Sequence, residues 1–269
     1  MAQKIGMLHE NNLVGTSVTN SPIGAHDIFC LPGSDRIEGR TGDDRLFGGP
    51  GDDQLLSSLG DDLLFGQDGD DLLFGGDCDD ELLGDARDDF LFGNEGTELF
   101  RREHGSDTLF GGPGDDHLRG GISDDLLFGR GSGDDFLDDT SDGNALFGRA
   151  GEDRCGAVSE DNALDGGSDD DLLTSAGIRK GLLTGDGKDQ LATAITGAKA
   201  VARVSHCLDC EGEDSLTTTA NAHAGERGEA NASNTLPGGY GRDRLTAEAT
   251  ADIHAFRRTS TSNKPASRR

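Results

Sequence analysis

GGPGDDHLRGGISDDLLFG, residues 111–129, holds two aspartate pairs nine residues apart, each set after a small-residue turn and followed closely by leucine. The interval extends in both directions. Written in nines from Ser21, the chain reads SPIGAHDIF, CLPGSDRIE, GRTGDDRLF, GGPGDDQLL, SSLGDDLLF and GQDGDDLLF, and runs on for nineteen units to Ala192, with one extra residue in GRGSGDDFLD, residues 129–138. A fixed short period marks an architecture of stacked identical elements, each too small to bury an apolar face alone.

Position 8 of the unit is apolar in all nineteen, from Ile28 to Leu191, so it is the inward-facing position. Position 6 is aspartate in fourteen: Asp35, Asp44, Asp53, Asp62, Asp71, Asp80, Asp89, Asp107, Asp116, Asp125, Asp135, Asp153, Asp171 and Asp189. His26, Glu98, Asn144, Asn162 and Lys180 take that place elsewhere. Position 4 is glycine in twelve units, which fits a turn that needs positive φ or close backbone approach. Each unit therefore reads as a glycine-aspartate turn followed by a very short strand.

Composition narrows the partners. The chain has 269 residues, a net charge of −28, 32% apolar residues and no tryptophan. Residues 21–192 hold 13 basic and 42 acidic residues, so the repeats carry the whole surplus and the rest is near neutral. Such a charge disfavours nucleic acid and anionic membrane surfaces, and points to cations. No run approaches the roughly 20 apolar residues of a membrane span, and MAQKIGMLHENNLVG lacks the apolar stretch of a cleaved signal peptide. Five cysteines at irregular spacing do not form a disulfide framework.

The units GGPGDDHLR and GQDGDDLLF resemble the nonapeptide of RTX, or haemolysin-type calcium-binding, proteins. The longer signature D-x-L-x4-G-x-D-x-L-x-G-G-x3-D is met from Asp62 to Asp80 and from Asp107 to Asp125. The resemblance implies an all-β, right-handed parallel β-roll over residues 21–192. It also implies a secreted protein exported in one step without a cleaved N-terminal signal, with the export signal in the C-terminal tail.

The charge pattern leads to the same cation. If two nonapeptides make one coil, residues i and i+18 stack, and carboxylates of successive coils are brought together over a thin core. A hard divalent ion taking 6 to 8 oxygens at about 2.3–2.6 Å neutralises them, and Ca2+ suits carboxylates and turn carbonyls better than Mg2+. Such a chain couples metal binding to folding. Splitting the units by parity gives two edges. One carries Asp35, Asp53, Asp71, Asp89, Asp107 and Asp125, then Asn144, Asn162 and Lys180; the other carries His26, Asp44, Asp62, Asp80, Glu98, Asp116, Asp135, Asp153, Asp171 and Asp189. Consecutive Asp pairs predict about eleven calcium sites, with the first edge losing calcium after Asp125. The carbonyls of Gly48, Gly51, Gly66, Gly69, Gly111 and Gly114 are the candidate backbone donors. The neighbouring acids Asp52, Asp61, Asp70 and Asp115 read as solvated.

Strand residues alternate sides, so positions 7 and 9 point outward. Phe74, Phe92, Phe110, Phe128 and Phe147 then stack on one sheet. Two readings stand: a docking or self-association face, or phenylalanines that simply favour strands and stack on one another.

Residues 1–20 read as a lead-in and residues 193–269 as a low-complexity tail. In the tail, LTAEATADIHAF, residues 245–256, is a candidate amphipathic helix through Leu245, Ala249, Ile253 and Phe256. Cys207, Cys210 and His223 offer three ligands at zinc-finger spacing, but the fourth is missing and a zinc site is not expected. The sequences H-E-x-x-H, G-x-S-x-G and G-x-x-x-x-G-K-[ST] do not occur. The expectation is a non-enzymatic calcium-binding protein whose β-roll folds on calcium outside the cell. The alternatives are a calcium-scaffolded adhesin or surface-layer module, and the non-catalytic calcium-binding portion of a secreted hydrolase.

Overall fold

With one inward-facing apolar position in nine, a chain gains a core only by laying each unit on an identical one. The computed structural model shows this arrangement in residues 12–14, 27–101, 103–141, 143–158, 161–176, 181–196, 211–212, 215–221, 240–241 and 244–250, which are the residues the structure describes. His26, Lys180, the Cys207, Cys210 and His223 group and the end of the tail lie outside them.

Successive units alternate between two parallel sheets. Arg36–Thr41, Gln54–Leu59, Leu72–Asp77 and Phe90–Glu95 follow one another in a ten-stranded sheet; Arg45–Pro50, Leu63–Asp68 and Glu81–Ala86 belong to a fourteen-stranded one. The fold is an all-β parallel β-solenoid, and no described residue is helical. Pairing is in register at a separation of eighteen, as in Leu55 opposite Leu73 and Leu73 opposite Leu91. The extra residue in 129–138 lengthens one coil, so Leu118 faces Leu137 and Leu127 faces Leu146 at a separation of nineteen. The register returns to eighteen at once, with Leu137 opposite Cys155 and Leu146 opposite Leu164.

All nineteen position-8 side chains are buried and form one continuous core between the sheets. The strands are longer than the very short ones expected, reaching six residues in most early units. The reason is at position 1. Alternation continues past position 9, so Gln54–Leu59 reads half-buried, buried, half-buried, buried, and Ser57 faces inward beside Leu55. Position 4 keeps the left-handed turn conformation even where glycine is replaced, at Cys78 (φ 87), Arg87 (φ 85), Ser123 (φ 99) and Asp169 (φ 87). Stacking holds these residues where an L side chain costs about 1–2 kcal/mol.

The five phenylalanines of the ten-stranded sheet stack with ring centroids 4.7–5.0 Å apart. Each is half-buried, and the guanidinium of Arg130 lies 4.0 Å from the Phe110 ring centroid. Phe90 and Leu126 at position 7 are the more exposed apolar residues of that surface.

One expectation is overturned in the tail. Arg244–Thr250 is a strand, not the start of a helix, and it pairs with Ser215–Asn221, which pairs in turn with Gln190–Thr196. Leu191, Leu216 and Leu245 share one register row. RLTAEAT alternates polar and apolar residues at period two, and a sheet edge offering that alternation a partner wins over the four-residue spacing that suggested a helix.

Candidate metal centre

Each described position-6 residue sits immediately before a strand, where the turn re-enters the sheet, and its side chain turns into the interior. Every described residue at this position is buried, a placement the sequence reading did not anticipate for so many carboxylates. Burial is tolerated because one oxygen is spoken for. Asp53 Oδ1 accepts the backbone N–H of Asp35 at 2.7 Å, Asp71 that of Asp53, Asp89 that of Asp71, Asp107 that of Asp89 and Asp125 that of Asp107. The column continues through Asn144 and Asn162, at 2.7 and 2.9 Å. The second edge repeats it from Asp44 to Asp80 and again from Glu98 to Asp189, with bonds of 2.7–3.0 Å.

The second oxygen is the chemically open one. Oδ2 of Asp53, Asp62, Asp71, Asp80, Asp89, Asp107, Asp116, Asp125, Asp153 and Asp171 is buried and accepts no hydrogen bond. A buried carboxylate oxygen without a donor is costly, and a bound cation is one way to satisfy it. The glycines at position 1 show where that oxygen points. A methyl group built on Gly48 would lie 2.4 Å from Asp53 Oδ2 and 2.8 Å from the carbonyl oxygen of Gly66, one coil on. At Gly111 the same point lies 2.2 Å from Asp116 Oδ2 and 2.8 Å from the Gly129 oxygen; at Gly148 it lies 2.2 Å from Asp153 Oδ2 and 2.6 Å from the Gly166 oxygen. A carboxylate from one coil and a carbonyl from the next thus face a space that only glycine leaves open.

Among the described residues no three His, Cys, Asp or Glu side chains converge. Donors at each step are therefore mixed carboxylate and carbonyl oxygens, a set that fits a large oxygen-seeking ion such as Ca2+ and not zinc. Burial, reinforced by neighbouring carboxylates, pushes Asp80, Asp89, Asp135 and Asp171 up to about 8, while the donated N–H pulls the other way. The same forces bring Asp53, Asp62, Asp71 and Asp153 to about 7.

Of the residues expected from sequence, the fourteen aspartates line these two columns, and Gly48, Gly66 and Gly111 lie against the open oxygens. Gly51, Gly69 and Gly114 each stack on the glycine turn one coil before: a methyl on Gly69 would fall 2.1 Å from the Gly51 carbonyl oxygen, and one on Gly114 1.6 Å from that of Gly96. Asp52, Asp61, Asp70 and Asp115 are exposed, and Asp52, Asp61 and Asp115 each accept an N–H from the next coil, as Asp52 does from Asp70 at 3.1 Å. Sequence reasoning missed the inward position 1, where Ser57 donates to the Gly75 carbonyl and Asp139 is buried. Its signal was available, since eleven units carry glycine there.

Glu98 is the imperfect step. Its extra methylene takes up the space that Gly93 leaves open, where a built methyl would lie 2.3 Å from Glu98 Cγ, and both of its oxygens are buried without hydrogen-bond partners. Glu98→Asp is expected to accept the Asp80 N–H, as its neighbours do, and to add about 1–2 kcal/mol of stability in saturating calcium. Urea unfolding of the two proteins checks this; an unchanged or lower midpoint would contradict it.

A family model of the RTX calcium-binding nonapeptide repeat matches the chain in four copies, over residues 31–64, 58–91, 79–100 and 105–131. The paired coils continue beyond the last copy to Thr196. Among curated proteins, no match to the chain was found.

Proposed function

We propose that this chain, which carries RTX calcium-binding nonapeptide repeats and binds Ca2+ through them, is a protein whose β-roll folds only when calcium is present. The observation that carries the reading is the double column of buried carboxylates, in which aspartates such as Asp71 and Asp89 have one oxygen held by a neighbouring N–H and the other left open. Asp53, Asp71, Asp89 and Asp107 on one edge, and Asp62, Asp116, Asp135, Asp153 and Asp171 on the other, are the proposed ligands. They are joined by position-1 carbonyls such as those of Gly66, Gly129 and Gly166. Bound Ca2+ supplies charge neutralisation and coordination between coils. The aspartates hold the coils in register, and the leucines behind them close the core.

The role of the ions is structural, and the β-roll of such repeats is a structural calcium-binding domain. RTX repeat proteins are typically extracellular, and calcium there is abundant enough to occupy sites of the modest affinity found in extracellular modules. On this reading the chain is unfolded and export-competent where calcium is scarce and folds where it is plentiful. Limited proteolysis tests the function as a whole. In millimolar calcium the span from Asp27 to Thr196 is expected to resist a non-specific protease, and in chelator the same span is expected to be cut at once. Equal resistance in both conditions would overturn the proposal.

A further inference from the structure

Asp139 breaks the pattern at a place where the pattern itself runs out. It stands at position 1, where eleven other units have glycine, and follows Asp125, after which the first edge carries Asn144 and Asn162. Its side chain is 1% exposed, as is that of Asp125. At the pocket of Gly120, a built methyl would lie 2.2 Å from Asp139 Oδ2 and 2.4 Å from Asp125 Oδ2. In the equivalent pocket of Gly48 the two oxygens belong to one carboxylate and one carbonyl. Here two carboxylates meet instead.

The surroundings hold this pair in place. Asp139 Oδ1 accepts the N–H and the hydroxyl of Ser141 at 2.9 and 3.0 Å, and its Oδ2 accepts the Gly121 N–H at 3.3 Å. Asp125 Oδ2 is buried without a hydrogen-bond donor and points into the same pocket. Asn144, one coil on, accepts the Asp125 N–H at 2.7 Å and so preserves the column's backbone geometry while bringing no charge.

We propose that Asp125 and Asp139 form a calcium site outside the repeat pattern, in which the acid missing at Asn144 is supplied from position 1 of the same unit. This rests on the reading of the columns as calcium sites. It extends the first edge one ion beyond the point where the repeat pattern alone ends it.

Native mass spectrometry of the full chain in saturating calcium counts whole ions. Asp139→Asn is expected to bind one ion fewer than the parent and to keep calcium-dependent folding. Asp139→Gly restores the residue usual at position 1, so it guards against misfolding of the first variant, and it is expected to lose the same ion. The double variant Asp139→Gly/Asn144→Asp returns the acid to position 6 and is expected to regain that ion. An unchanged count in both single variants would overturn the proposal. A parent that binds no calcium would instead defeat the functional reading as a whole, and the two failures are distinguishable.

Discussion

Stripped of calcium, the chain is expected to lose strand structure as the pH rises from 5 to 8 and to regain it on acidification. The folded-state values of Asp80, Asp89, Asp135 and Asp171 lie near 8, far above the ordinary 3.8, because burial penalises the charged form. A group raised in the folded state binds its proton more tightly there than in the unfolded chain. Its contribution is therefore fully present below about 4 and is lost as the pH climbs through about 8. At about 1.4 kcal/mol per pH unit, each of these four costs roughly 4 kcal/mol at pH 7. Even halved for solvent near the edges, the four together reach the order of a whole domain's stability of about 5–15 kcal/mol. Asp53, Asp62, Asp71 and Asp153, near 7, act in the same direction. With calcium present the dependence reverses, since the ion needs ionised ligands. Circular dichroism against pH, in chelator and in calcium, checks both slopes. A chelated sample whose strand signal is flat or grows with pH would contradict the account.

The second large effect is steric. Gly114 has φ +137, and an added methyl would sit 1.6 Å from the Gly96 carbonyl oxygen and 2.7 Å from its carbon. No side-chain rotation relieves a clash between two backbones, so Gly114→Ala must push one turn off the next. That separation opens the Gly96 N–H bond to Pro113 at 3.2 Å and the Glu98 N–H bond to Asp116 at 3.0 Å. In a stacked array stability resides in contacts between neighbours, so the damage falls on both adjoining coils. A loss of about 3 kcal/mol or more is expected, near the upper end for single substitutions. Gly156→Ala is the matched control. Its nearest contacts are the ends of the Asp138 and Thr174 side chains, at 3.3 and 3.4 Å, and its φ is not left-handed, so a change within about 0.5 kcal/mol is expected. Urea unfolding in saturating calcium measures both; comparable losses would show that turn stacking does not limit stability.

The fold was largely legible because its period is short and its inward residue never fails. Nineteen apolar residues at one position define the core, and the single inserted residue foretells the shift from Leu109 opposite Leu127 to Leu118 opposite Leu137. The site was legible as residues but not as geometry. Aspartate in a turn ordinarily means solvent exposure, and nothing in the spacing reveals that Asp71 is buried or that Asp53 donates its N–H to it. That follows only once coils are stacked, since the partner is eighteen residues away. Asp139 escaped for a related reason: position 1 looked like turn, and its inward direction appears only when the strand extends through it. Leu245 was misread because four-residue spacing and two-residue alternation coexist in one short segment, and the open sheet edge decides between them.

The central claim, that calcium and folding are one event, is tested most directly by following strand circular dichroism while calcium is added to chelator-stripped protein at pH 8, with magnesium in a parallel sample. The account predicts little strand signal at the start, a cooperative rise with calcium and no comparable rise with magnesium. A strand signal already complete in chelator would contradict it.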